Sequence, residues 1–184
     1  MDLRLEDREA IRDVLAAYAH AIDRRRWDIM GQLFHRDATF GFGTIKGSWE
    51  DFVESARVII DPCLASQHLL GQTQFAFATG PAGEELCHTE TYMRAVHTVP
   101  AGYPMPETFP DRGKVYSAVV AGRYVDRFER IRGEWRIMHR EGLYDWREFR
   151  EVEGVDLSDL PESARGHHDD RDPSTPVVAR WRGS

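Results

Sequence analysis

The sequence predicts an α+β fold, because segments with helical periodicity come first and long strand-like segments joined by short turns follow. The two kinds of segment do not alternate, which argues against a doubly wound parallel sheet. At 184 residues the chain is about one domain long, so a single pocket is expected rather than a cleft between domains.

The first helix is read over residues 9–26. Ile11, Val14, Leu15, Tyr18 and Ile22 form the apolar stripe of a 3.6-residue period. Glu6 or Asp7 is the expected cap, with Glu9 placed to reach back. A short second helix, 27–34, carries Trp27, Met30, Leu33 and Phe34 before His35-Arg36-Asp37 turns the chain. A strand follows over 38–42, and Gly41, Gly43 and Gly47 mark a hairpin around Thr44-Ile45-Lys46. Ser48 caps a third helix through Phe52, Val53, Ala56 and Ile59, and Asp61-Pro62 stops it. Four long strands are then expected, over 67–78, 85–97, 115–130 and 134–146. Short turns at Thr79–Gly83 and Ile131–Gly133 make them antiparallel hairpins. Pro100, Pro104, Pro106 and Pro110 exclude regular strand over 98–113, which reads as a long loop placed as a lid. The expected organisation is one domain over 1–147 and a polar tail over 148–184 that packs over the domain in part.

Composition narrows the function. A net charge of −7 offers no general attraction to phosphate backbones, and the basic clusters Arg24-Arg25-Arg26 and Arg180-Trp181-Arg182 are short. Nucleic acid is not an expected partner. No apolar run approaches the roughly 18 residues that cross a bilayer, and the charged start lacks a secretory segment. No membrane association and a cytoplasmic location are therefore expected. Cys63 and Cys87 lie outside any ligand-spaced motif and read as free thiols. The histidines lack H-x-x-x-H and H-E-x-x-H spacing, and His167-His168-Asp169-Asp170 sits in the tail, so no metal is expected. Dinucleotide and phosphate-loop patterns and the Gly-x-Ser-x-Gly elbow are absent, which removes the main support for a nucleotide cofactor or serine hydrolysis. No cofactor is expected.

Several residues could carry chemistry. Asp23 lies in the row Ala16, Ala19, Asp23 beside the apolar stripe, where small side chains leave room for another element. From spacing alone its plainer role is a solvated helix end, and that of Tyr18 is a core aromatic. His68 opens a strand among apolar neighbours and, taken singly, reads as a core histidine. A carboxylate bonded to one ring nitrogen would change that, because it fixes the tautomer and stabilises the imidazolium so that the other nitrogen can accept a proton. His88, Arg94, Tyr116, Arg123, Arg136, His139, Arg140 and Tyr144 are further polar groups on the strands. Trp27, Phe40, Phe42, Trp49, Phe75 and Tyr92 supply aromatic surface suited to a ring-containing molecule.

These residues together resemble the SnoaL-like family of the nuclear transport factor 2-like (NTF2-like) superfamily. The resemblance is carried by Ile11 to Asp23 with Tyr18 five residues before the acid, by Leu33 to Ala38, and by Gly47 before the third helix. It continues in His68 opening a long strand and in Gly122 to Arg130 closing on Gly133 to Ile137. It covers roughly residues 5–147. It implies a cone-shaped barrel, a curved and mostly antiparallel sheet on three helices that encloses one pocket.

Family members include scytalone dehydratase, bile-acid 7α-dehydratases, hexachlorocyclohexane dehydrochlorinase and polyketide cyclases. The resemblance implies that Asp23 and His68 form a catalytic dyad, with Tyr18 beside it and Arg140 as a late-strand cation. Arg140, Trp27, Phe40, Trp49, Tyr92 and Tyr116 are the expected substrate-binding residues. The expectation is a cofactor-independent lyase of the dehydratase type acting on a small hydrophobic ring compound. Isomerisation or polyketide-type cyclisation would use the same proton transfer, and the superfamily also holds non-catalytic binding and assembly modules. A homo-oligomer, dimer or trimer, is expected by the same resemblance.

Overall fold

Helix α1, Leu5–Asp23, buries the stripe that its periodicity marks: Ile11, Val14, Leu15, Tyr18 and Ile22 are all buried. The structure is a computed structural model and describes residues 4–43, 45–152 and 159–182. The helix begins a turn earlier than expected and ends at Asp23, three residues short of Arg26. Its N-cap is Arg4, with no side-chain cap, so Glu6 and Asp7 do not cap it. Asp7 instead accepts hydrogen bonds from Trp135 Nε1 and Arg4 Nε at 2.9 and 2.8 Å. In the first turn its charge still complements the helix dipole. At the other end Arg25 N–H donates to Ile22 O and Arg26 N–H to Ala21 O, the pattern of a Schellman turn.

The second helix is shorter than expected. A 3₁₀ turn at Trp27–Ile29 leads into α2, Met30–Leu33, and Phe34 already begins β1, Phe34–Phe42. His35-Arg36-Asp37 therefore lie in a strand and not in a turn. A register irregularity between Phe34 and Thr39 absorbs these polar residues while Ala38 and Phe40 stay in the core. Strand β2 is Ile45–Ser48, so Ile45 and Lys46 are paired residues rather than the hairpin tip. Thr44 lies outside the described residues. Helix α3, Trp49–Ile60, has the expected start: Asp51 N–H donates to Ser48 Oγ and Ser48 N–H to Asp51 Oδ2, a complete capping box.

Strands β3 (Ala65–Thr79), β4 (Glu85–Val99), β5 (Tyr116–Ile131) and β6 (Glu134–Glu151) complete the sheet. Its order is β2-β1-β6-β5-β4-β3, with β1 and β6 parallel and every other pair antiparallel. The mixed, mostly antiparallel sheet on helices is the expected α+β architecture. Strand β6 runs past the expected end at Trp146, because Glu151 still pairs with Tyr116. Register shifts in β3 and at two points of β5 bend the long strands around the helices. Gly122 sits at one of them, where a Cβ would lie 1.9 Å from the Leu143 carbonyl oxygen.

The proline-rich connection after β4 is pinned down. The Tyr103 hydroxyl donates to Ile59 O at 2.7 Å, and Phe109 is buried against His97 with ring centroids 5.1 Å apart. The C-terminal segment follows α1: Val178 is buried, Trp181 packs on the core, and Arg180 pairs with Asp13 at 2.8 Å. His168 of that segment meets Arg25, and Asp170 meets Arg26. Cys63 and Cys87 are buried free thiols, both pushed up to about 11 by burial. No described helix is long and apolar enough to cross a membrane.

Candidate active site

Strand β3 is the sheet's edge, paired only with β4, so backbone N–H groups on its other side need partners from elsewhere. Asp23, the last residue of α1, supplies one. Its Oδ2 accepts the His68 backbone N–H at 2.7 Å, and its Oδ1 accepts His68 Nδ1–H at 2.7 Å. The two side chains are only 12% and 8% exposed. The carboxylate holds the neutral ring in the Nδ1–H tautomer, which leaves the Nε2 lone pair as the basic position. Nε2 has no hydrogen-bond partner among the described residues.

His68 lines a cavity of about 270 Å³. Its walls are mostly apolar, from Ile22, Phe40, Phe42, Phe52, Met93 and Val120. The polar groups are few. Tyr18 and Tyr124 line it together with His68 and His97, whereas Glu107, Tyr144 and Arg147 are exposed and mark its opening. His97 is buried on β4 with Nδ1 3.2 Å from Ser66 Oγ, and its ring centroid is 5.4 Å from that of His68. Burial, reinforced by neighbouring His68, pushes its pKa down to about 3, so His97 is neutral at ordinary pH.

Arg140 lies behind the two tyrosines and is fully buried. Its Nε and Nη2 donate to Asp126 Oδ1 and Oδ2 at 2.7 and 2.8 Å, and its guanidinium carbon sits 3.9 Å from the Tyr18 ring centroid and 4.2 Å from that of Tyr124. Burial opposes the charge, but the Asp126 pair outweighs it and the guanidinium pKa is raised. Arg140 Nη1 is buried without a hydrogen-bond partner among the described residues. Burial raises the pKa of both tyrosines, and the nearby Arg140 charge opposes that rise. Both phenols are therefore protonated donors at neutral pH, with a cation beside them to stabilise any negative charge that reaches them.

The expected residues divide accordingly. Asp23 and His68 meet, and Tyr18 and Phe40 line the same cavity. Arg140 does not reach the cavity wall; it bears on it through Tyr18 and Tyr124. Four further expected substrate contacts are corrected. Tyr92 is 49% exposed, because the inward row of β4 is Cys87 to Val99 at odd positions and Tyr92 faces out. Trp27 turns its Nε1–H to Asp61 at 3.1 Å, and Trp49 stacks on Phe34 with centroids 6.3 Å apart. Tyr116 is buried under the loop, donating its hydroxyl to Pro110 O at 2.8 Å. His97, Tyr124 and Phe109 were not anticipated at the site. The signal for His97 was present, since it falls in phase with Met93 and Ala95 on β4.

Comparison with known proteins agrees with this architecture. The family described as SnoaL-like domain matches residues 3–141. No curated protein matches the sequence significantly. Among solved structures, a hexachlorocyclohexane dehydrochlorinase, LinA type 2, is similar with a TM-score of 0.68 at 16% identity, covering 84% of this chain and 97% of that one. A scytalone-dehydratase-like protein of Novosphingobium aromaticivorans DSM 12444 gives 0.66 at 15% identity, covering 88% and 99%. The LinA type 3 dehydrochlorinase of Novosphingobium barchaimii LL02 gives 0.64 at 16%, covering 83% and 94%. At these identities the likeness is one of fold.

Proposed function

Given that the chain belongs to the SnoaL-like domain family, we propose that it is a cofactor-independent acid/base enzyme, a lyase of the dehydratase type acting on a small ring-containing molecule. The observation that carries this reading is the double grip of Asp23 on His68, which leaves Nε2 as a base on an apolar cavity.

In this reading His68 Nε2 removes a proton from carbon next to a carbonyl, and the Asp23 carboxylate stabilises the resulting imidazolium. Tyr18 and Tyr124 donate to the carbonyl oxygen as negative charge develops there, with Arg140 behind them. Loss of a β-hydroxyl completes the double bond; the leaving oxygen takes the proton back from His68, so water departs and the base is regenerated. General acid/base assistance of this kind contributes about 10²- to 10⁴-fold, and dry walls strengthen each electrostatic contact. The cavity volume suits a molecule of one to three rings. The dehydrochlorinase and dehydratase among the structural neighbours fit the same class of elimination. An oligomer would use the outer sheet face, where Leu69, Tyr92 and Trp146 are exposed.

The test is a panel of ring-containing β-hydroxy carbonyl compounds, with loss of water read by mass spectrometry for wild type and His68→Ala. Turnover that survives the substitution unchanged would overturn the proposed base. Deuterium uptake from heavy water without loss of a group would instead assign isomerisation in the same pocket.

A further inference from the structure

Arg25 holds the first position after the C-cap of α1, which Schellman turns reserve mostly for glycine. Its φ is 54°, a region in which a side chain is strained. Strain of this kind persists where surrounding contacts over-determine it. The guanidinium makes such contacts. Its Nη2 donates to Cys63 O at 2.5 Å and to Ile60 O at 3.3 Å, and its Nε lies 3.5 Å from Asp61. Ile60 is the last residue of α3, and Cys63 stands in the short turn before β3 begins at Ala65. Nη1 on the far side meets His168 of the C-terminal segment. Arg25 therefore ties the backbone just after Asp23 to the backbone just before His68.

We propose that Arg25 is a positioning residue for the Asp23–His68 pair. Its left-handed backbone turns the guanidinium onto the α3–β3 turn and locks the end of α1 to the start of β3. Strand β3 needs such a lock, because as an edge strand its backbone ladder pairs with β4 on one side and its other side relies on single contacts such as that of Asp23. A glycine would suit the turn better and could not make the tie. The inference rests on the reading of Asp23 and His68 as the site's acid/base pair.

Proton NMR of the His68 Nδ1–H, assigned by its disappearance in His68→Asn, tests this without a substrate. In wild type the proton is hydrogen-bonded to Asp23, protected from exchange with water, and gives a persistent low-field signal. In Arg25→Gly, where the backbone is relaxed and the fold is retained, that signal is expected to be lost to exchange with water while the rest of the spectrum stays dispersed. Arg25→Lys, whose ammonium can still donate to a carbonyl, is expected to restore it in part. A signal as persistent in Arg25→Gly as in wild type overturns the proposal and leaves the dyad standing. Should that variant fail to fold, Arg25→Gln gives the same reading: loss supports the tie, persistence overturns it. A signal missing from wild type would show that the pair itself is not formed, and both readings would fall.

Discussion

Both carboxylate oxygens of Asp23 are engaged by His68, one by its backbone N–H and one by its ring Nδ1–H, each at 2.7 Å. The same residue thus closes an edge-strand hydrogen bond and sets an imidazole tautomer. The two functions cannot both survive if one of the oxygens becomes a donor.

Asp23→Asn is accordingly expected to keep the fold and lose the base. An amide offers a single acceptor, so one of the two His68 donors must face an NH₂ group, and the ring is expected to move its proton to Nε2. Activity should fall by about 10²- to 10⁴-fold. Nitrogen-15 NMR of the histidine rings reads the tautomer directly, and an unchanged Nδ1–H form would refute the prediction.

His97 should make stability depend on pH. Its folded pKa of about 3 lies below the ordinary value of 6.5, so between these values the unfolded chain binds a proton that the folded chain does not. The contribution is fully present above pH 6.5 and is lost as pH falls toward 3, with a limiting slope of about 1.4 kcal/mol per pH unit. Urea unfolding at pH 7 and pH 5 should show a smaller drop for His97→Gln than for wild type.

Phe109→Ala tests what keeps His97 neutral. Burial is the largest cause of its depressed pKa, and the Phe109 ring covers it from the loop. Removing that ring should let water in and move the His97 titration up toward 6.5, as read by NMR. A titration unchanged from wild type would assign the shielding to other walls of the cavity.

Asp126→Asn is expected to destabilise strongly, by about 3–5 kcal/mol, because it leaves the Arg140 charge buried without its counter-ion. Replacing both residues, as in Asp126→Leu with Arg140→Met, should recover much of the loss, since the desolvation cost disappears with the charges. Denaturant midpoints of the two single variants and the double variant distinguish these outcomes.

How much of this was legible in the chain varies by residue, for physical reasons. The α1 stripe and the Ser48 cap depend on neighbours within four positions, and both are found as read. Tyr92 and His97 lie on one strand, and the two-residue alternation separates them once the inward phase is known; the phase comes from packing on the helices. The pairing of Asp126 with Arg140 was hidden. The short turn after Ile131 would set Asp126 opposite His139, but a register shift between Arg127 and Phe128 moves the partner on by one residue. A shift of that size exchanges an outward side chain for an inward one.

By itself the sequence determined that the α-helices precede the four long strands, the apolar stripe of α1, and the presence of Asp23 at a helix end and His68 at a strand start. These follow from local periodicity and turn chemistry. Only the tertiary structure decided that Asp23 and His68, 45 positions apart, meet at 2.7 Å, that Arg140 acts from behind two tyrosines, and that Arg25 braces the junction. Such contacts depend on how α3 and its following turn fold the edge strand back along α1. That geometry is set by packing across the whole domain, and no local pattern encodes it.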